Sequence, residues 1–146
     1  MLRFVSLALA ALMTGCLQPD EISIDDAWVR LAAVKGNPAA AYFTVHGGPV
    51  DATIVTVSSD VSLRSEMHES MSGGGSMASM RPLRSVRVPA LTDVKFAPGG
   101  KHVMLYDVNS GIKPGGRPVL LTLHFADGTR ISRKAQVLGA GDPAPE

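Results

Sequence analysis

The sequence predicts an all-β domain, a β-sandwich of about eight or nine short strands, and three observations lead to this prediction. Runs rich in Val, Thr, Ile, Phe and Tyr are short and are divided by Gly, Pro and Asp, as in all-β proteins. Leu121, Leu123 and Phe125 alternate with other side chains, as they would along a half-buried strand. No segment keeps a 3.6-residue apolar period long enough to predict a helix.

The candidate strands are separated by short turns, and one of these turns has a characteristic sequence. Residues 126–129 read Ala-Asp-Gly-Thr, and an Asp-Gly pair tolerates the positive φ that a tight hairpin needs. A hairpin is therefore predicted between the last two strands. The predicted strands are residues 27–31, 40–45, 53–58, 63–68, 85–88, 92–96, 102–107, 119–125 and 130–137.

Residues 1–16 are predicted to be a signal peptide that lies outside the domain. A basic start that ends at Arg3 is followed by an apolar run over 4–13 and then by small residues, which is the order of a secretory signal. The run is about half of the roughly 20 residues that a membrane-spanning helix needs. We expect 17–24 to be a tether, 25–138 to be the folded domain and 139–146 to be a disordered tail.

Cys16 is the only cysteine in the chain, and the sequence around it resembles a bacterial lipobox. The segment reads Leu-Met-Thr-Gly-Cys, with Met13 where the lipobox more usually has Leu. In a lipobox the cysteine is acylated and becomes the mature N-terminus, so we expect a periplasmic protein that a lipid anchor at Cys16 holds to a bacterial membrane. The alternative is an ordinary signal peptide that is cut nearby.

Net charge and motif content exclude several classes of function. Loss of the leader removes one basic residue and leaves 13 basic and 13 acidic residues, whereas a nucleic-acid surface needs a clustered basic excess. The sequence offers no Ser-His-Asp arrangement, carboxylate pair or phosphate-binding loop. We therefore expect a protein that does not bind nucleic acid and is not an enzyme. We also expect it to be a monomer.

The methionines and two of the histidines form the pattern that carries chemistry. A thioether is a soft ligand that favours Cu(I), and imidazole also suits copper. His102 and Met104 would project from one face of a strand, roughly 7 Å apart at the backbone, while Val103 turns into the core. His68 ends a strand, and a hairpin-like return would bring Met80 back over it. Four methionines cluster within 14 residues, namely Met67, Met71, Met77 and Met80.

The predicted metal ligands are thus His68, Met80, His102 and Met104. This set of two nitrogens and two sulfurs has no formal charge and favours Cu(I) over zinc or calcium. The other histidines, His46 and His124, are expected to be ordinary surface or hydrogen-bonded residues. The carboxylates flanking His68, those of Glu66 and Glu69, are expected to be solvated charges, and either could orient an imidazole.

The order and spacing of these ligands resemble the periplasmic copper chaperone family usually called PCuAC, whose signature is H-(M)-x10-M-x21-H-x-M. Met80 and His102 enclose 21 residues, and His102-Val103-Met104 supplies the H-x-M step. The resemblance extends over nearly all of 27–137. Further matching segments are 27–30, 41–44, 80–83, 98–105 and 121–125.

One spacing departs from the family signature. His68 and Met80 enclose 11 residues rather than 10, and we place the extra residue in the glycine run 73–75. A loop absorbs one added residue at little cost, since closure entropy grows slowly with length. Met77 is the alternative or auxiliary sulfur ligand, but Met80 is preferred because the 21-residue spacing and the following Arg-Pro both match the family.

The resemblance implies a cupredoxin-like Greek-key sandwich that carries one Cu(I) outside the cytoplasm. It also implies delivery to an acceptor, namely the copper centre of cytochrome c oxidase, directly or through a partner copper chaperone. The residues themselves argue against a blue-copper electron carrier, because no cysteine follows Cys16. The alternative function is a metal-independent interaction module whose Met-rich loop provides an adaptable apolar contact.

Overall fold

The computed structural model describes residues 21–71 and 79–145, which form ten β-strands and no helix. The all-β prediction is confirmed, with one strand more than the upper predicted count. No helix in these two ranges is long and apolar enough to cross a membrane. The strands are β1 (Ser23–Arg30), β2 (Ala39–His46), β3 (Ala52–Ser59), β4 (Arg64–Met71), β5 (Ser79–Pro82), β6 (Val86–Val88), β7 (Asp93–Phe96), β8 (Lys101–Tyr106), β9 (Val119–Phe125) and β10 (Arg130–Leu138).

The strands form one curled sheet in the order β5-β4-β8-β7-β2-β1-β10-β9-β3-β6. Most neighbouring strands are antiparallel, but β7 pairs with β8 in parallel at one position, and β1 runs parallel to β10. Among the described strands, the pairing of β1 with β10 is the hydrogen-bonded link between the group from β5 to β1 and the group from β10 to β6. The first and last strands of the domain are therefore neighbours.

The core lies between these two groups of strands, because each group buries one face. Every second residue of β2 from Ala39 to Val45 is buried, and so is every second residue of β9 from Val119 to Phe125. Phe43 stacks on Phe96 of β7 with ring centres 4.4 Å apart. Buried side chains of both groups belong to a single apolar cluster, which makes the curled sheet a sandwich.

Most predicted strand limits move by one to three residues; β4, for example, continues past His68 to Met71. Two differences are larger. Residues 79–82 were expected in a loop but form β5, a short edge strand that pairs with β4 alone and exposes all four side chains. An edge strand tolerates proline, so Pro82 does not prevent it. β1 begins at Ser23, inside the predicted tether, and crosses a bulge at Asp26, whose φ is 51°.

Several expectations concern residues outside the described ranges. The signal peptide, Cys16 and Met77 all lie there, so the predictions about them stay predictions. In the segment predicted to be a tail, the Gly139 amide donates to Oδ2 of Asp142 at 2.6 Å. Arg30 Nη2 donates to the carbonyl oxygen of Asp142 at 3.1 Å, which connects this turn to the end of β1.

Candidate metal centre

Three adjacent strands bring the four predicted ligands to one face of the sheet. β4 pairs with β8 so that His68 lies directly opposite His102, and β5 pairs with β4 so that Met80 lies opposite Ser70. Side chains two residues apart on a strand share a face, so Met104 projects from the same side as His102. This is the outer face, because the intervening Met67 and Val103 are buried in the core.

The closest approach between two predicted ligands joins His102 to Met80. The Nε2 atom of His102 lies 3.2 Å from the Sδ atom of Met80. Two donors bound tetrahedrally by one metal, at about 2.0 Å for nitrogen and 2.3 Å for sulfur, lie about 3.5 Å apart. The observed separation therefore suits a shared ion. His102 is 5% exposed and Met80 is 52% exposed. One of the two predicted ligands is therefore buried, and the other is open to solvent.

His68 is the second predicted nitrogen ligand, and it lies on β4, the strand adjacent to that of His102. The centres of the His68 and His102 rings lie 6.0 Å apart, and the rings meet edge to face at 71°. The Nε2 atom of His68 lies 3.2 Å from Oε2 of Glu66. Its Nδ1 atom is buried and has no hydrogen-bond partner among the described residues. A buried nitrogen without a partner fits a metal ligand, since buried polar atoms are otherwise paired.

A small polar network surrounds the carboxylate of Glu66. Oε2 of Glu66 also accepts a hydrogen bond from the Tyr106 hydroxyl at 3.3 Å, and Arg64 forms an ion pair with Oε1. The Arg64 guanidinium carbon lies 4.0 Å from the centre of the Tyr106 ring. Burial raises the pKa of Tyr106, and the Glu66 charge raises it further, so the hydroxyl stays a donor at neutral pH. Tyr106 was not among the residues predicted from the sequence, although its position two residues after Met104 predicts the same face.

The opposite face of these strands carries an ion-pair ladder. Glu69 of β4 accepts from Arg81 Nε of β5 and from Lys101 Nζ of β8, each at 3.1 Å. The hydrogen bonds from Arg81 and then Lys101 lower the pKa of Glu69. Exposed ion pairs contribute little stability each, but this ladder spans all three strands that carry the predicted ligands. The ladder therefore adds side-chain contacts to the backbone pairing that places the edge strand, and with it Met80, beside β4.

The other histidines lie away from this centre. His46 hydrogen bonds through Nδ1 with Asp93 at 2.8 Å, and His124 through Nε2 with the Ser58 hydroxyl at 3.0 Å. Both agree with the expectation of ordinary hydrogen-bonded residues. Within 21–71 and 79–145, no group of three or more His, Cys, Asp or Glu side chains could hold a metal ion.

Comparison with known sequences identifies a family and a curated relative. Residues 22–137 match the sequence profile of the family described as "Putative lipoprotein LpqE-like". A protein from Leifsonia xyli subsp. xyli (strain CTCB07), named "Putative lipoprotein Lxx21020", is 29% identical over 120 residues. The match covers 82% of this chain and 71% of that protein.

Comparison with solved structures identifies the fold. A copper-bound PCuAC domain from PmoF2 matches with a TM-score of 0.64 and 23% identity, over 83% of this chain and 95% of that domain. The solution structure of the Cu(I) form of DR1885 from Deinococcus radiodurans matches with a TM-score of 0.64 and 23% identity, over 88% of this chain and 85% of that one. The fold expected from the resemblance to PCuAC is therefore confirmed.

Proposed function

Since this chain belongs to the LpqE-like lipoprotein family, we propose that it is an extracytoplasmic copper chaperone, a monomer that acts as a carrier and not as an enzyme. In this proposal one Cu(I) ion is its cargo. The ion is bound by His68, Met80, His102 and Met104, and is delivered to an acceptor protein. The family name supports a lipid anchor, for which Cys16 is the candidate.

The observation that carries the proposal is the 3.2 Å approach of Met80 Sδ to His102 Nε2, with His68 directly opposite on the next strand. A set of two imidazoles and two thioethers is soft and neutral, which favours Cu(I) over harder cations. Solved domains of the same fold are described as copper-bound and as a Cu(I) complex, which supports the same choice of metal.

The exposure of Met80 supports a role in transfer rather than storage. Met80 is half exposed and lies on the edge strand β5, where soft donors of an acceptor can reach the ion. A thioether can bind and release a metal without losing or gaining a proton, whereas a thiol must lose its proton before it binds the metal. The resemblance to PCuAC favours the copper centre of cytochrome c oxidase as the destination, reached directly or through a partner copper chaperone.

The proposal is tested by titrating the reduced protein with Cu(I) in competition with a Cu(I) chelator. We expect one equivalent to bind tightly, with two nitrogen and two sulfur neighbours in X-ray absorption spectra, and Zn(II) to bind far more weakly. Zn(II) affinity equal to that of Cu(I) would contradict the assignment. The double variant His68→Ala/His102→Ala serves as the control and should not bind Cu(I) tightly.

A second candidate function is a metal-independent interaction module, and one observation favours it. Met80, and on the opposite face of the neighbouring strand Met71, are each about half exposed, and methionine makes adaptable apolar contacts with protein partners. The two functions differ in whether binding of the protein partner depends on Cu(I). Partner binding that is equally tight with and without Cu(I), and in the His68→Ala/His102→Ala variant, would favour the module over the chaperone.

A further inference from the structure

We infer that Glu66 positions His68 for the metal, so that the two histidines bind copper through different nitrogens, His68 through Nδ1 and His102 through Nε2. This inference rests on the proposed function, which it deepens by naming the ligand atoms and a positioning residue. Glu66 does not itself touch the ion in this arrangement. It acts through the proton on the far side of the imidazole.

The tautomer of His68 follows from its contact with Glu66. An ionised carboxylate only accepts hydrogen bonds, so the 3.2 Å contact with Glu66 Oε2 requires the proton on His68 Nε2. In the neutral ring the lone pair is then on Nδ1. That atom is buried and has no hydrogen-bond partner in the described part of the chain, so a soft cation would satisfy it.

The tautomer of His102 is the opposite one. A carbonyl oxygen also only accepts, so the 3.0 Å contact with the Gly100 carbonyl puts the His102 proton on Nδ1. The lone pair of Nε2 then faces Met80 Sδ at 3.2 Å. An ion about 2.0 Å from a ring nitrogen lies about 3.2 Å from the ring centre, so two rings that share an ion have centres about 5–6 Å apart. The observed distance is 6.0 Å.

The carboxylate of Glu66 is held in place by groups other than His68. Tyr106 donates to the same Oε2 atom, and Arg64 pairs with Oε1, so both oxygens have partners. The β4–β8 register sets Glu66 opposite Met104, on the face that carries the ligands. Carboxylates that hold a ligating histidine in this way fix its tautomer and ring orientation, and their loss typically lowers metal affinity about 10–100-fold.

The test begins with the metal-free wild-type protein, because the tautomers are set before copper arrives. Long-range ¹H–¹⁵N correlation spectra of ¹⁵N-labelled protein report which ring nitrogen of each histidine carries the proton. We expect the proton on Nε2 in His68 and on Nδ1 in His102. Glu66→Ala should shift His68 to a mixture of tautomers and weaken Cu(I) binding about 10–100-fold. Glu66→Gln keeps an acceptor oxygen, so it should restore part of the tautomer preference of His68 and part of the Cu(I) affinity.

Two controls separate positioning from a general loss of structure. Signals of His46 and His124 should be unchanged in every variant. Glu69→Ala removes a carboxylate of the same strand from the opposite face, and should leave the His68 tautomer unchanged.

Two results would overturn the inference, namely a wild-type His68 protonated on Nδ1, or a His68 tautomer unaffected by Glu66→Ala. If the wild-type protein has the expected tautomers, and Glu66→Ala changes that of His68, but the wild type does not bind Cu(I), the positioning by Glu66 is supported and the proposed chaperone function is refuted. The two failures are therefore distinguishable.

Discussion

His68 and His102 lie directly opposite each other on adjacent antiparallel strands, with their ring centres 6.0 Å apart. The residues that alternate with them, Met67 and Val103, also form a pair and are buried in the core. A slip of one residue between these strands would turn one imidazole into the core and one apolar side chain out of it. The packing of the core therefore fixes the distance between the two imidazoles.

We expect Met80→Ala to weaken Cu(I) binding by about tenfold or more, equivalent to about 1.4 kcal/mol, because His68, His102 and Met104 remain. Met77→Ala should be nearly silent. Competition of each variant against a Cu(I) chelator measures both effects. A larger loss in Met77→Ala would mean that the inserted residue shifts the register and that Met77 carries the metal. Equal small losses would indicate interchangeable sulfurs.

Glu69→Gln should loosen the edge strand with little effect on overall stability. It removes the charge that holds Arg81 of β5 and Lys101 of β8, and exposed pairs of this kind contribute about 1 kcal/mol or less. We expect faster amide hydrogen exchange in β5 and a Cu(I) affinity lowered a few-fold through Met80. Arg84→Gln removes an exposed charge from the same stretch and serves as the control. Unchanged exchange in β5 would show that the ladder does not hold the strand.

Expression in a bacterium should yield a mature chain that begins at Cys16 and carries acyl groups. Mass spectrometry of the purified protein measures both features. Cys16→Ser should release unacylated protein from the membrane without changing Cu(I) affinity, since all four proposed ligands lie in the folded domain. An unmodified N-terminus on the wild-type protein, or retention of Met1, would refute the lipobox assignment.

Stability should fall in acid partly through Asp60. Burial raises the pKa of Asp60, but hydrogen bonds from Arg117 and the Leu120 amide, with the Arg117 charge, lower it more, so the net pKa is below its usual value. Because the folded pKa is lowered, the stabilisation is fully present above the unfolded value of about 3.9 and is lost as pH falls through the folded pKa.

Asp60→Asn should accordingly lower the free energy of unfolding by about 1 kcal/mol at pH 7, and the gap to wild type should shrink below about pH 3.9. Urea denaturation at a series of pH values measures this gap. A constant difference down to pH 2 would rule out the titration of Asp60 as its source.

Gly47→Ala should destabilise the fold because backbone atoms occupy the space that a Cβ would need. That Cβ would lie 2.8 Å from the Thr92 carbonyl oxygen and closer still to the Pro89 carbonyl oxygen. Overpacking of this kind costs about 1–3 kcal/mol, which thermal or urea unfolding can measure. Gly141→Ala is the matched control, since no atom lies within 4 Å of its Cβ. Equal stability of the two variants would contradict the steric argument.

Strands with one buried face were predictable from the sequence, whereas the edge strand was not. β9 has the bounds that the alternation of Leu121, Leu123 and Phe125 predicted. β5 lacks such a pattern because all four of its side chains are exposed. Its proline, Pro82, also argued against a strand, since proline is rare in strands away from a sheet edge. A hairpin-like return of Met80 towards His68 was predicted, but the strand register, with Met80 opposite Ser70 and Pro82 opposite His68, became visible only in the three-dimensional structure.

The candidate ligands were predictable from residue type and spacing, but their surroundings depend on strand register. The sequence left Glu66 and Glu69 as equal candidates to orient an imidazole. In the structure Glu66 lies on the face of His68, and Glu69 instead binds Arg81 and Lys101 on the other face. Register joins residues far apart in the chain, such as Glu66 and Met104, and no local pattern encodes it.

The parallel pairing of β1 with β10 determines when the folding of this domain can finish. Trp28 pairs with Gln136, so the two groups of strands are joined only after residue 136 has been synthesised. Topologies that depend on such distant pairings fold slowly, in milliseconds to seconds. A ribosome-bound chain that lacks β10 cannot complete the sandwich. The two groups of strands are therefore held together only once β10 has left the ribosome, whatever part of β1 to β9 has formed before.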